Sequence, residues 1–102
     1  MKIIKPSTLV EWAEIHPTSA KSLLRWLEIA KKARWSTFSE VRRDVPSADM
    51  VKVGSLKPVF IFNIAGNQFR LIAAIHFNTG RLFLLDFMTH SDYSKDEWKG
   101  RL

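Results

Sequence analysis

The 102-residue chain contains no cysteine. That excludes disulfide frameworks, thiolate metal sites and thiol nucleophiles at once. Glycine and proline number only four each and no tract is compositionally biased, so a linker, a fibrous repeat or a disordered tail is excluded as well. Apolar runs are short. The opening Met1-Lys2-Ile3-Ile4-Lys5 reaches Pro6 after two apolar residues, far below a signal-peptide core or a spanning helix, and the expectation is a cytoplasmic, bacterial-type protein with no membrane partner. Tyrosine is scarce too. Tyr93 stands alone beside seven phenylalanines and four tryptophans, so its hydroxyl, not its ring, is the unusual feature.

Negative charge is the other shortage: ten Asp and Glu face sixteen Lys and Arg, a formal net charge of +6. That favours a polyanionic partner, with nucleic acid ahead of an acidic protein and of an anionic membrane, over the alternative of a soluble protein that is merely basic. The length predicts one domain, residues 1–102, with apolar elements sharing one core rather than two.

Lys2 to Lys5 reads as a short edge strand closed by Pro6, which has no amide donor for a ladder. Thr8-Leu9-Val10-Glu11 has capping-box spacing and predicts a helix that ends near His16-Pro17. Over Thr18 to Ala33, Ala20, Leu23, Leu24, Leu27 and Ala30 recur at three- and four-residue steps, with Trp26, Ile29 and Ala33 widening the stripe. Lys21, Arg25, Glu28 and Lys32 take the opposite face, either as solvated surface or as a phosphate- or partner-facing stripe. A second box at Thr37-Phe38-Ser39-Glu40 opens a further helical turn or two before Pro46, and Val51 and Val53 suit a short strand.

The second half is rich in β-branched and aromatic residues. Val59 to Ile64, Phe69 to Phe77 and Arg81 to Thr89, separated by Gly66-Asn67 and Asn78-Thr79-Gly80, predict a three-stranded antiparallel meander. The order of elements gives an α+β fold with helices on one face of the sheet. In the middle strand Leu71, Ala73, Ile75 and Phe77 form the covered face, which leaves Arg70, Ile72, Ala74 and His76 on the open one.

Arg70 on that open face is either surface charge or a functional guanidinium. His90 and Tyr93 follow the last strand at an i, i+3 spacing that aligns them if a helical turn is present, and they either pack there or form a site. His16 suits a helix C-terminus, and His76, at the far end of its strand, is assigned no role. No HExxH, phosphate-binding glycine loop, serine elbow or carboxylate cluster occurs, so metalloprotease, nucleotide-hydrolase and α/β-hydrolase classes lack support.

Two stretches resemble a known family. Phe62-Asn63-Ile64-Ala65-Gly66-Asn67-Gln68-Phe69-Arg70-Leu71-Ile72 is similar to the F-N-I-x-G-N-x-[YF]-R-L-[IV] core of HigB-type toxins of bacterial toxin–antitoxin modules, and Met88-Thr89-His90-Ser91-Asp92-Tyr93 is similar to their T-H-x-x-Y ending. Ser7-Thr8-Leu9, His16-Pro17 and the Trp35 segment before Pro46-Ser47-Ala48 extend the resemblance over nearly the whole chain. The resemblance implies a RelE-like fold and an mRNA interferase that cuts messenger RNA in the ribosomal A site, held inactive by a HigA-type helix-turn-helix antitoxin. It implies cleavage by the 2′-hydroxyl without metal or other cofactor. Matched residue by residue, Arg70 would stabilise the phosphate, His90 would transfer protons, and Tyr93 would orient, stack or share that transfer. Asn67, Lys57, Lys52 and Lys95 are the RNA-binding candidates, although Lys57 before Pro58 is displaced by about a residue from the family's usual basic position. A non-catalytic basic RNA-binding module on the same scaffold is the alternative, and an interaction-only protein a third reading.

Overall fold

The computed structural model describes residues 1–102. Strand β1 (Lys2–Ile4) leads into helices α1 (Ser7–Ile15) and α2 (Ala20–Lys32), joined by a 3-10 turn at Pro17–Ser19. Helix α3 (Phe38–Asp44) and strand β2 (Asp49–Lys52) come next. They are followed by β3 (Pro58–Ile64), β4 (Phe69–His76) and β5 (Arg81–Thr89), then by α4 (His90–Ser94) and a 3-10 turn at Glu97–Arg101. The sheet order is β1-β5-β4-β3-β2, antiparallel throughout except that β1 runs parallel to β5. The predicted meander forms its centre, and no helix is long and apolar enough to cross a membrane.

The two capping-box motifs behave differently. At Thr37 the side chain accepts from the Glu40 amide, and the Glu40 carboxylate accepts from the Thr37 amide, so α3 is boxed as its sequence predicts. At Thr8 no box forms. Pro6 already has helical angles, φ −63° and ψ −16°, so the helix starts earlier and the Thr8 amide is used by the Lys5 carbonyl at 3.1 Å.

Helices cover one face of the sheet, as expected. Leu23, Trp26 and Ala30 of α2 pack with Trp35, Phe62, Leu71, Ala73 and Leu82 in the main core. The predicted stripe on α2 is too wide, because Leu24 is 58% exposed; it turns to the outer side, near the exposed Val10 of α1.

The opposite face is not open over its whole length, which corrects the expectation of a single core. Trp98 from the C-terminal turn, only 1% exposed, packs there on Val53, Val59, Ile61, Ile72 and Met88. Ile72, placed on an open face by alternation, is therefore fully buried. Close approach holds this lid of chain down: the Gly54 amide donates to the Lys99 carbonyl at 2.9 Å, and a Cβ on Gly54 would lie 3.1 Å from that oxygen. The register between β4 and β5 shifts between Ile72 and Ala73, with Asp86 opposite Ile72 and Leu84 opposite Ala73, so Leu85 is the extra residue of a bulge. The bulge lets Leu82 and Leu84 face the main core before it while Phe87 faces the same core after it.

Candidate active site

Arg70 enters the site from β4, between Asn63 on β3 and Met88 on β5. Only 7% exposed, it needs hydrogen-bond acceptors, and the β3–β4 turn supplies them. Ala65 and Gly66 in that turn have φ of +55° and +65°, the left-handed region, which curls Asn67 back over the strand end. Arg70 Nη1 donates to the carbonyls of Asn67 at 3.2 Å and of Phe69 at 3.1 Å, and Nη2 donates to the Asn67 side-chain oxygen.

His90 completes the set from the other side. Thr89 ends β5 and caps α4, its hydroxyl accepting from the Asp92 amide at 3.2 Å, while the His90 amide donates to the Gln68 carbonyl at 2.9 Å. The β3–β4 turn and the start of α4 are thus tied together. His90 Nδ1 lies 3.0 Å from Arg70 Nη2. A guanidinium can only donate, so Nδ1 accepts in this contact and the imidazole is neutral with its proton on Nε2.

Tyr93, one turn further along α4, lies under the guanidinium, with Arg70 Cζ 5.6 Å from the ring centroid. Its other contact is the stack on Trp98, with centroids 5.2 Å apart and planes at 19°, and Trp98 Nε1 donates to the Tyr93 carbonyl at 3.0 Å. Burial pushes the Tyr93 hydroxyl above the ordinary tyrosine range, the Asp49 carboxylate adds to the rise, Arg70 opposes it and Asp96 adds again.

Arg70, His90, Tyr93 and Asn67 therefore meet in one cluster at the end of the sheet where β4 begins. Lys95 lies at the end of α4, exposed and paired with Asp92 at 3.6 Å. Lys52 and Lys57 do not join the cluster. Lys52 pairs with Pro58 at the opposite end of β3, and Lys57 immediately precedes that strand, while Arg70 is opposite Asn63. His16 also has a role that its helix-end position did not suggest, packing its ring on Phe69 at 5.0 Å and Phe87 at 5.8 Å beneath the strand ends.

Two participants were missed from sequence. Trp98 supports the site from below, and its only signal was a large apolar residue within the charged run Asp96-Glu97-Trp98-Lys99. Asp49 acts on Tyr93 by charge across β2 and β3, and nothing in a sequence 44 positions earlier marks that proximity.

Residues 19–96 match the model of the HigB toxin family, described as the RelE-like toxic component of a toxin–antitoxin system. The chain belongs to the HigB toxin family. Among curated family proteins, the mRNA interferase HigB of Escherichia coli O6:H1 is 30% identical over 95 residues, covering 93% of this chain and 90% of the relative. The mRNA interferase toxin HigB of Escherichia coli K12 is 26% identical over 93 residues, 91% of this chain and 88% of the relative. The α+β fold of the family is the one described above.

Proposed function

We propose that this family member is an mRNA interferase: a metal-independent endoribonuclease that cuts messenger RNA on the ribosome, inhibits translation in the bacterial cytoplasm and is restrained by a HigA-type helix-turn-helix antitoxin. The observation that carries the proposal is the convergence of Arg70, His90 and Tyr93, a phosphate-binding guanidinium, a proton acceptor and a protonated hydroxyl within one cluster.

The four terminal N–H groups of Arg70 already have partners, so substrate binding exchanges partners instead of filling empty donors. When Nη2 turns from His90 to a phosphoryl oxygen, charge building up on the phosphate is stabilised and the Nδ1 lone pair is released. Nδ1 then accepts the proton of the 2′-hydroxyl as the O2′–P bond forms and the P–O5′ bond breaks. Tyr93, which keeps its proton throughout the neutral range, is the donor that remains for the departing 5′-oxygen, an alkoxide far more basic than a phenolate. The net charge of +6 favours the encounter with RNA.

Primer extension on a reporter mRNA, in cells producing this chain without an antitoxin, tests the reading. Cuts within the reading frame and growth arrest are expected, and both should vanish for Arg70→Ala and His90→Gln. Full toxicity of both folded variants would refute the assignment.

A further inference from the structure

The sheet face that carries Arg70 has a second concave region at its far end. His76 lies six residues along β4 from Arg70 and on the same face, roughly 20 Å away at the usual rise of a strand. Trp98 and its turn cover the sheet between them. Beyond that cover is a groove of about 440 Å³, lined chiefly by apolar side chains that include Pro58, Leu85 and Leu102. His76 and Phe83 form its aromatic side, with ring centroids 4.9 Å apart and planes at 52°. His76 is exposed and Phe83 half-buried, so part of this aromatic surface faces solvent.

The surrounding charge is of one sign. Lys57 lines the groove, Lys52 is opposite Pro58 across β2 and β3, and Arg81 is opposite His76 across β4 and β5. All three are exposed, none is in an ion pair, and no aspartate or glutamate lines the groove. Asp86, the nearest acid along the face on β5, is engaged by Arg101 at 3.1 Å. An apolar floor with an exposed aromatic edge suits the face of a base, and unpaired cations around it suit the flanking phosphates. An acidic peptide would use the cations but has no need of a stacking edge.

Resting on the nuclease reading above, we infer that this groove seats an unpaired base of an RNA strand, with Lys57, Lys52 and Arg81 holding its phosphates. The base belongs to the messenger beyond the cut, because the groove lies on the same sheet face as Arg70. This gives a function to the two lysines that the fold separates from Arg70.

Binding of the full chain to fluorescent 2′-O-methyl RNAs, which lack the attacking hydroxyl, tests the inference with strands of about four and about twelve nucleotides alongside sedimentation with small ribosomal subunits. His76→Ala and Lys57→Ala, both exposed positions, and their combination are the variants. The inference expects weakening of roughly fivefold or more, with the short strand unaffected. Loss on the long strand supports the messenger as the occupant, whereas loss confined to the subunits would make the occupant ribosomal RNA and overturns the inference. Unchanged binding of both, while Arg70→Ala weakens the short strand, overturns the groove. So does unchanged RNA binding together with lost co-purification of a co-expressed antitoxin, which would make the occupant a protein segment. Groove variants that weaken RNA binding while Arg70→Ala alters neither binding nor cleavage would instead sink the active-site reading and leave the groove standing.

Discussion

Nη2 of Arg70 lies 3.0 Å from Nδ1 of His90, and a donor-only guanidinium makes that nitrogen an acceptor. The imidazole is therefore locked in one neutral tautomer while Arg70 stays in place. Protonating Nδ1 would set N–H against N–H, so the contact is incompatible with the imidazolium that base catalysis produces. On the mechanism proposed above, proton transfer at Nδ1 and movement of Arg70 are one event.

Charge alone does not meet this requirement. Arg70→Lys keeps a cation but cannot donate to two backbone carbonyls, the Asn67 side chain and His90 at once. Single-turnover cleavage on translating ribosomes is expected to fall about a hundredfold or more. Asn67→Ala, which leaves the Asn67 carbonyl in place, should lose less, about tenfold, through a looser guanidinium.

Tyr93→Phe separates ring from hydroxyl. The stack on Trp98 and the packing beneath Arg70 survive, so the melting temperature should stay near that of the parent chain while cleavage falls about a hundredfold or more. Retention of full activity would assign Tyr93 to packing alone.

With one tyrosine in the chain, ionisation can be followed directly by the near-ultraviolet absorbance of tyrosinate. The midpoint should lie above that of the denatured chain, since burial, then Asp49, favour the neutral hydroxyl. The sign for stability follows from linkage. The contribution is complete below the unfolded value of about 10 and is lost as pH rises through the folded value. Denaturation midpoints at increasing alkaline pH should therefore drop for the parent chain and less for Tyr93→Phe.

Trp98→Ala would empty the second core and remove the donor to the Tyr93 carbonyl. A loss of about 3–5 kcal/mol in denaturant unfolding is expected. A milder change, Trp98→Phe, should remain folded yet lose activity, because the ring is smaller and the hydrogen bond is gone.

Much of this was legible in sequence where one local rule decided the outcome. The α2 period, the Thr37–Glu40 box and the meander with its Gly66-Asn67 turn all fall into that class. Thr8 failed because Pro6 could begin the helix itself, so that two local signals competed. Alternation in β4 correctly put Arg70 and Ile72 on one face, yet it could not say that Trp98 would return to cover Ile72. The bulge at Leu85 was equally invisible, since Leu82-Phe83-Leu84-Leu85 offers apolar side chains to both faces. Arg70, His90 and Tyr93 could be named from two motifs. That Arg70 would be buried with its terminal donors engaged depended on Asn67, Gln68 and His90 being folded together.

The support beneath Tyr93 also has a consequence for biosynthesis. Trp98 leaves the ribosome after every other member of the cluster, and the sheet beneath it needs contacts between β1 and β5, some eighty residues apart. A nascent chain stopped before Trp98 has the chemical groups without the floor that aligns them. Until Trp98 has emerged and packed, the cutting geometry proposed above is expected to be incomplete, leaving an interval in which an antitoxin can bind first.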